Sequence, residues 1–215
     1  MKKFFVLTVL FALPIVAYLF FASGKNNFAR LPILTENITD VSELSSYDDE
    51  SVYLQDHISV VAFFGEDLEN LKGNTFNLDK KILEKYYGFD DFQFVIILPE
   101  SARANAADFA KEFEGITNAQ EWKFVFGTPG EIQNVFESFD SPYQLSDKNY
   151  TPYVFIVDKS RNLRGRDDDE DDEILYGYDS RDIAELTNKM NDDVKVILAE
   201  YRLALKKNNA GRKDN

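Results

Sequence analysis

Four short runs rich in apolar residues lie in the middle of the chain, two of them (58–64 and 92–98) almost unbroken, and each ends at a glycine, a proline or a polar turn. They cover residues 58–64, 92–98, 121–126 and 153–157. Short runs that are rich in β-branched and aromatic residues are typical of strands buried on both faces of a sheet. The pattern therefore predicts four central strands of one sheet.

Between and after these runs, apolar residues recur at every third or fourth position, which predicts helices. We expect helices over residues 77–87, 102–114 and 180–207. A further short helix is expected after Thr128, which is placed to cap it together with Glu131, three residues later.

The order of these elements indicates the fold class. After the fourth strand, a polar turn at residues 158–162 leads into residues 163–166, which predicts a hairpin, and residues 174–178 resume a strand-like pattern. Strands that alternate with helices predict an α/β fold with a central mixed sheet and helices on both of its faces.

The N-terminus has the pattern of a membrane segment. Residues 4–22 carry no charged side chain and follow Lys2 and Lys3. A helix of this length spans roughly 28 Å, close to the hydrocarbon thickness of a bilayer. Two interpretations are open: a retained single-pass anchor, which the length of the run favours, and a signal peptide cleaved after the small residues at 22–24. Both place residues 25–215 outside the cytoplasm, on the periplasmic side of a bacterial-type inner membrane.

These patterns divide the chain into an anchor or uncleaved signal (1–24), a tether and N-terminal extension (25–50), a folded domain (51–207) and a polar tail (208–215). The last helix is longer than a domain about 30 Å across requires. Its final turns therefore either continue over the sheet or pair with another copy of the chain.

Composition excludes several kinds of chemistry. The chain of 215 residues has no cysteine and a single histidine, His57, so it has no disulfide, no thiol nucleophile and no multi-histidine metal centre of its own. Its net charge of −14 argues against binding to nucleic acid, because phosphate recognition requires a basic surface. We expect neither a cofactor nor enzyme activity from this composition.

The apolar runs and their flanks also resemble a known family. The series VVAFFG, FQFVIILPE, EWKFVFGTPGEIQNVF and PYVFIVDKSRNLRGR, followed by a C-terminal helix, resembles the thioredoxin-like superfamily. Within it, the chain is most similar to the Sco (SenC) family of membrane-anchored, copper-carrying assembly factors for cytochrome oxidase. The N-terminal anchor, the tryptophan strand ending at Gly127-Thr128 and the polar turn before Leu163-Arg164-Gly165 carry this likeness.

The resemblance implies a thioredoxin-like domain over residues 51–207, but the ligands of the family are missing. Sco proteins hold copper through two cysteines after the first core strand and a histidine before the hairpin. At the first position this chain has Glu66, Asp67, Glu69 and Asn70, and at the second it has Tyr150. Oxygen ligands do not replace thiolates for Cu(I). The resemblance therefore implies a vacated site formed by these five residues.

The same resemblance draws attention to Pro152. Thioredoxin-like proteins often have a cis-proline before the corresponding strand, and Thr151-Pro152 stands at that place. A cis bond beside the vacated site and an ordinary trans proline at the start of a strand are both open.

Two groups of carboxylates are further candidates. Glu66, Asp67 and Glu69 either form an acid–base pair or simply complement the dipole of a helix N-terminus. A run of seven consecutive acids is either a solvated loop or a site for a hard cation or a basic partner; it consists of Asp167, Asp168, Asp169, Glu170, Asp171, Asp172 and Glu173.

The sequence thus predicts a membrane-anchored, extracytoplasmic thioredoxin-fold protein that has lost Sco-type copper and thiol chemistry. It would act as a binding or assembly factor for an unidentified protein, related to the envelope or to a respiratory complex. The alternative is a metal-binding protein or enzyme that uses only carboxylate ligands, through the acidic run.

Overall fold

A mixed sheet with helices on both faces forms the centre of the molecule. The computed structural model describes residues 2–23, 30–47, 50–114 and 122–211. The strands are β1 (Ile33–Thr35), β2 (Ser45–Ser46), β3 (Ile58–Phe64), β4 (Phe92–Pro99), β5 (Trp122–Gly127), β6 (Tyr150–Val157), β7 (Leu163–Arg164), β8 (Arg166–Asp169), β9 (Glu173–Leu175) and β10 (Tyr178–Asp179). The helices are α1 (Lys2–Ser23), α2 (Lys72–Leu78), α3 (Glu84–Tyr86), α4 (Arg103–Glu114), α5 (Pro129–Glu137), α6 (Ile183–Glu185) and α7 (Asn191–Gly211).

Strand β3 is the central strand of this sheet. The strand order is β1-β7-β6-β3-β4-β5-β2, and β10 pairs with β6. Strands β3, β4 and β5 are parallel, whereas β6 runs antiparallel to β3 and forms a hairpin with β7. The predicted α/β class, the four central strands and the hairpin are therefore confirmed.

Two apolar cores cover the sheet, one on each face. All seven residues of β3 are buried, and alternate side chains point to opposite faces. Val60, Ala62 and Phe64 pack in the first core, under α4 and the helical segments on either side of it, whereas Val61 and Phe63 pack in the second core, under α5. This explains why the strand has an almost unbroken apolar run in the sequence, interrupted only by Ser59.

Both long helical segments contain a π-helical turn, which the sequence does not predict. Residues Asp79–Leu83 join α2 to α3, and residues Leu186–Met190 join α6 to α7. The C-terminal segment begins at Ile183 rather than at residue 180, because the Asp182 carboxylate caps it by accepting from the N–H groups of Ala184 and Glu185. The predicted cap of α5 is present, with Thr128 and Glu131 forming a capping box.

The N-terminal extension is part of the folded domain rather than a tether. Strand β1 pairs with β7 and β2 pairs with β5, so residues 33–46 close both edges of the sheet. This segment also supplies buried apolar side chains to the cores, namely Leu31, Ile38, Val41 and Leu44. Residues 33–46 of the predicted tether and N-terminal extension (25–50) therefore contribute strands to the sheet.

Buried ion pairs tie the C-terminal helix to the sheet. Arg164 is 3% exposed, and its guanidinium donates to the carboxylates of Asp158 (2.9 Å) and Glu200 (2.7 Å) and to the carbonyl oxygen of Leu31. Because every partner belongs to a different segment, this cation joins the hairpin, α7 and the N-terminal extension.

Residues Lys2–Ser23 form the single helix α1, with Pro14 inside it. Among the described residues, no helix combines the length and the mean hydropathy of a membrane-spanning segment. The expected cleavage position at Gly24, the tether residues up to 29, residue 121 of the third strand and tail residues 212–215 lie outside the described part of the chain.

Asp79, in the first π-helical turn, is a buried carboxylate without a hydrogen-bond partner. The residue is 1% exposed, and both of its side-chain oxygens and the nearby indole N–H of Trp122 lack partners. The Lys80 ammonium lies 3.7 Å from Oδ2. Burial raises the pKa of Asp79, against the opposing effect of Lys80.

We expect the substitution Asp79→Asn to stabilise the protein at neutral pH. The raised pKa in the folded state means that ionisation of Asp79 opposes folding, so wild-type stability decreases as the pH rises above about 3.9, the pKa of an unfolded aspartate, and through the folded value. Asp79→Asn should raise the free energy of unfolding by about 1–2 kcal/mol at pH 8 and by less at pH 5.

Trp122 is the only tryptophan of the chain, so urea unfolding followed by its fluorescence measures this difference directly. Asp108→Asn, at an aspartate whose side chain is 83% exposed, is the matched control and should change stability little at either pH. An equal increase in the free energy of unfolding at both pH values would contradict the conclusion that ionisation of Asp79 destabilises the folded protein.

Candidate functional site

The chain turns sharply where β3 ends, and this turn lies against the start of β6. Gly65 has φ = 63°, in the region that favours glycine. A Cβ atom at this position would lie 2.4 Å from the carbonyl oxygen of Lys148 and 3.0 Å from the Cβ of Tyr150. The absence of a side chain therefore allows the β3 turn and the segment before β6 to meet.

A cavity of about 300 Å³ lies beside this contact. Its lining comes from the end of β3, its turn and the helical segment after it, from the start of β6 and the segment before it, and from the turn after β10; the residues are Phe64, Glu66, Asp67, Asn70, Leu71, Asn74, Ser146, Lys148, Tyr150 and Arg181. Four residues of the expected site, namely Glu66, Asp67, Asn70 and Tyr150, thus line one cavity, and the fifth, Glu69, does not.

The carboxylates of the β3 turn have separate partners. Glu66 accepts a hydrogen bond from the hydroxyl of Ser101 (2.7 Å), and Asp67 accepts one from the side-chain amide of Asn70 (2.7 Å). Glu69 pairs with the ammonium of Lys72 at 2.8 Å, outside the cavity. Since no two of these carboxylates share a proton or a hydrogen bond with each other, the arrangement does not form an acid–base pair.

The lining of the cavity also includes two cationic side chains, Lys148 and Arg181. Arg181 is held in place by Asp179, which accepts from Nη2 at 2.6 Å and from Nε at 2.9 Å. Lys148 is exposed, and its ammonium has no ion-pair partner among the described residues. Burial raises the pKa of the Tyr150 hydroxyl, against the opposing effect of Arg181.

Pro152 lies within β6, and of the two open interpretations of the Thr151-Pro152 bond the structure has the trans one. No peptide bond among the described residues is cis. The trans bond keeps β6 extended, so that Tyr150 and Val154, on either side of it, both pair with β3. The carbonyl oxygen of Pro152 accepts hydrogen bonds from the backbone N–H and the hydroxyl of Ser180, which joins β6 to the residue before Arg181.

The acidic run is a hairpin and not a loop. Strands β8 and β9 pair with each other, and Asp169 is turned inward with 7% of its surface exposed. The ammonium of Lys189 contacts Asp169 at 2.6 Å and Asp171 at 2.8 Å. Although burial alone would raise it, the pKa of Asp169 is lowered, because Lys189 and the backbone N–H of Asp171 donate to its carboxylate.

The other acids of the run do not form a cation site. Asp167, Asp168, Glu170, Asp172 and Glu173 are exposed. In the described part of the chain, no three histidine, aspartate or glutamate side chains are grouped so that they could hold a metal ion. The hard-cation interpretation of this run is therefore not supported. Asp169 and Asp171 instead attach the hairpin to the C-terminal helical segment through their ion pairs with Lys189.

Besides the apolar Phe64 and Leu71, sequence reasoning did not identify four polar residues that line the cavity: Asn74, Ser146, Lys148 and Arg181. Ser146 and Lys148 precede Tyr150 closely, so the antiparallel pairing of β6 with β3 brings them to the same edge of the sheet. Arg181 lies at the cavity because β10, which precedes it, pairs with β6. No local pattern contains this information, since it depends on the order of the strands.

Comparison with solved structures relates the fold to known proteins. A candidate electron transport protein from Aquifex aeolicus VF5 is 15% identical, with a TM-score of 0.50, over 79% of this chain and 96% of that one. A member of the Sco family of cytochrome c oxidase assembly proteins is 14% identical (TM-score 0.49; 76% and 92%), and copper-bound ScoI from Arabidopsis thaliana is 16% identical (TM-score 0.48; 71% and 94%). No protein-family model and no curated protein matches the chain.

The chain has a thioredoxin-like α/β fold. At these identities the likeness concerns the fold alone. The chain contains no cysteine, so it has no thiol of its own.

The substitution Gly65→Ala should destabilise the protein. The added methyl group would meet the carbonyl oxygen of Lys148, and alanine disfavours a positive φ, so we expect the free energy of unfolding to fall by about 2 kcal/mol or more in urea denaturation. Gly73→Ala is the matched control: Gly73 lies in α2 and a Cβ there meets no atom within 4 Å. That variant should be neutral or slightly stabilising, and equal losses in both would contradict the close contact at Gly65.

Proposed function

We propose that the protein is a non-catalytic binding protein that serves as an assembly or scaffold factor, and that the cavity beside Gly65 is its binding site. The observation that carries this proposal is the cavity itself. It is open to solvent and lined by charged and apolar side chains at the end of the central strand, in a chain without cysteine. The assembly role is suggested by the resemblance of the strand motifs to those of Sco proteins.

The side chains of the cavity support binding rather than catalysis. A thiol mechanism has no nucleophile in this sequence, and the only histidine, His57, precedes the opposite end of β3. Glu66 and Asp67 are each hydrogen-bonded to a separate neighbour, so neither is paired with a second carboxylate for proton transfer. No observation in the described part of the chain favours the alternative of a carboxylate-based metal protein, and we do not propose it.

We further propose that the protein is held at the extracytoplasmic face of a membrane by residues 4–22. The support is the sequence itself: the run carries no charged side chain, and it follows two lysines that the positive-inside rule retains in the cytoplasm. Self-association through the last turns of α7 stays a prediction of the same kind.

A single substitution should separate binding at the cavity from folding. We expect Asn70→Trp to abolish capture of the partner, because Asn70 lines the cavity and is exposed, so the indole would fill the cavity without entering the core. The measurement is quantitative co-purification of the full chain from detergent-solubilised membranes, with the captured proteins compared between variants.

Asn134→Trp is the matched control, since Asn134 is equally exposed but lies on α5, under which the other core of the sheet packs. A true partner should be retained by wild type and Asn134→Trp and lost with Asn70→Trp. A partner that Asn70→Trp captures as well as wild type would refute the cavity as the binding site.

Membrane attachment is tested by a chain that lacks residues 2–23. We expect the full chain to sediment with membranes and to resist extraction by high salt, because apolar insertion does not depend on ionic strength. The shortened chain should remain in the soluble fraction. If the full chain is expressed and the purified protein begins near Lys25, the segment is instead a cleaved signal.

A further inference from the structure

We infer that one end of the folded domain docks on the surface of a bilayer that contains anionic lipid. This docking surface consists of the turn at residues 87–91 and the part of α7 from Tyr201 onward. The inference rests on the proposed attachment of the chain to a membrane, and it adds which part of the domain faces the lipid. The docking surface lies at the start of β3, whereas the cavity beside Gly65 lies at the end of that strand.

The link between α1 and the domain is short. Seven residues, 24–30, separate the end of α1 from Leu31, and a chain of this length spans at most about 28 Å. Leu31 is fixed, because its carbonyl oxygen accepts from Arg164, whose guanidinium also binds Glu200 of α7 at 2.7 Å. The link therefore enters the domain beside the helical turn at which the docking surface begins.

The turn at residues 87–91 presents two large aromatic side chains to solvent. Tyr87 is 49% exposed and Phe89 is 38% exposed. The backbone N–H of Phe89 donates to the carbonyl oxygen of Tyr86 at 3.0 Å, and the carbonyl oxygen of Phe89 accepts from the N–H of Phe92 at 2.9 Å, so the turn is fixed. Exposed aromatic rings are typical of protein surfaces at the headgroup level of a bilayer, where their apolar area leaves water.

The last part of α7 lies against this turn. The ammonium of Lys159 pairs with the carboxylate of Asp91 and lies 5.8 Å from the centre of the Tyr201 ring. Phe89, Tyr201 and Arg202 also line one cavity. These contacts bring the turn with its exposed rings and the C-terminal part of α7 together on one surface.

The charge of the C-terminal residues complements anionic lipid. In a chain with a net charge of −14, the side chains of residues 202–215 have a net charge of +4, from one acid, Asp214, and five basic residues, namely Arg202, Lys206, Lys207, Arg212 and Lys213. On the turn, Asp91 is paired with Lys159, and Asp90 has no ion pair among the residues that the structure describes. Since basic residues near an anionic leaflet attract it, these five outweigh the repulsion from Asp90.

A single cysteine tests the inference, because the chain has none of its own. Gly88→Cys places a bimane label between the two exposed rings, and a Cβ atom at Gly88 meets no atom within 4 Å. The labelled full chain is reconstituted in vesicles of phosphatidylcholine, pure or mixed with phosphatidylglycerol, that also contain lipid with a nitroxide headgroup. We expect at least about threefold more quenching of the label by nitroxide in the mixed vesicles than in the pure ones.

Gly130→Cys is the matched control. Gly130 is exposed, a Cβ atom there meets no atom within 4 Å, and the residue lies on α5, which packs on the other core of the sheet. A label at this position should be quenched little in either kind of vesicle. Sodium chloride at about 1 M should reduce quenching at residue 88 while the chain stays in the vesicles, because salt screens attraction between charges and leaves apolar insertion intact.

Two sets of substitutions in the Gly88→Cys chain separate the contributions of charge and rings. Arg202→Gln combined with Lys206→Gln and Lys207→Gln should remove most of the dependence on phosphatidylglycerol. Tyr87→Ser combined with Phe89→Ser should lower quenching in both kinds of vesicle, since the apolar area that leaves water is lost. Lys123→Gln, at an exposed lysine of β5, should leave quenching unchanged.

Equal quenching at residues 88 and 130, or quenching at residue 88 that is independent of phosphatidylglycerol, would overturn the inference. An emission change of the Gly88→Cys label that depends on protein concentration in detergent without lipid would overturn it too, since a second copy of the chain would then cover the surface. Flotation separates docking from attachment. A chain that floats with vesicles without quenching at residue 88 refutes docking alone, whereas a chain that does not float refutes both.

Discussion

The burial of β3 on both faces is the constraint on which the rest of the structure depends. A strand with every residue buried needs hydrogen-bonding neighbours on both sides and an apolar layer above and below, because an unpaired backbone group or an exposed apolar face would be costly there. Strands β4 and β6 meet the first requirement, and the helices of the two cores meet the second. Buried cations such as Arg164 then attach the outer segments to this centre by directional contacts that apolar packing alone does not provide.

The cavity follows from how this central strand ends. Because β6 runs antiparallel to β3, the start of β6 lies beside the end of β3. The turn after β3 and the segment before β6 therefore come so close that a side chain at the contact would clash. Gly65 resolves this conflict and directs the chain away from Lys148, and the helical segment that follows closes the remaining side. The site thus depends on sheet topology, whereas its polarity depends on a few side chains that contribute little to the cores. Such positions are free to change their chemistry without loss of the fold.

The sequence allowed the sheet to be predicted better than its surroundings. Three of the central strands were predictable to within one residue where described, and the fourth, β6, begins three residues before its predicted start. Double burial leaves a run such as residues 58–64, whose pattern differs from that of an amphipathic helix. The two π-helical turns and the inward position of Asp169 were not predictable, since both depend on contacts with distant elements. For the site, the turn after β3 and Tyr150 could be placed together through the resemblance to Sco proteins. Lys148 and Arg181 could not, because only the strand order brings them there, and the trans conformation at Pro152 shows that the resemblance does not extend to every local feature.

The two short strands at the outer edges of the sheet have a consequence for solubility. Strand β1 has three residues and β2 has two, and the guanidinium of Arg103 fixes β2 by donating to the carbonyl oxygen of Ser46 while it stacks 4.1 Å from the ring of Phe126. The long apolar strands lie inside these edges, where their backbone groups are already paired. A second chain approaching either edge finds too few free hydrogen-bonding groups in register to add a strand. The sheet is thereby protected against open-ended growth into fibrils, although its central strands have the composition of aggregation-prone segments.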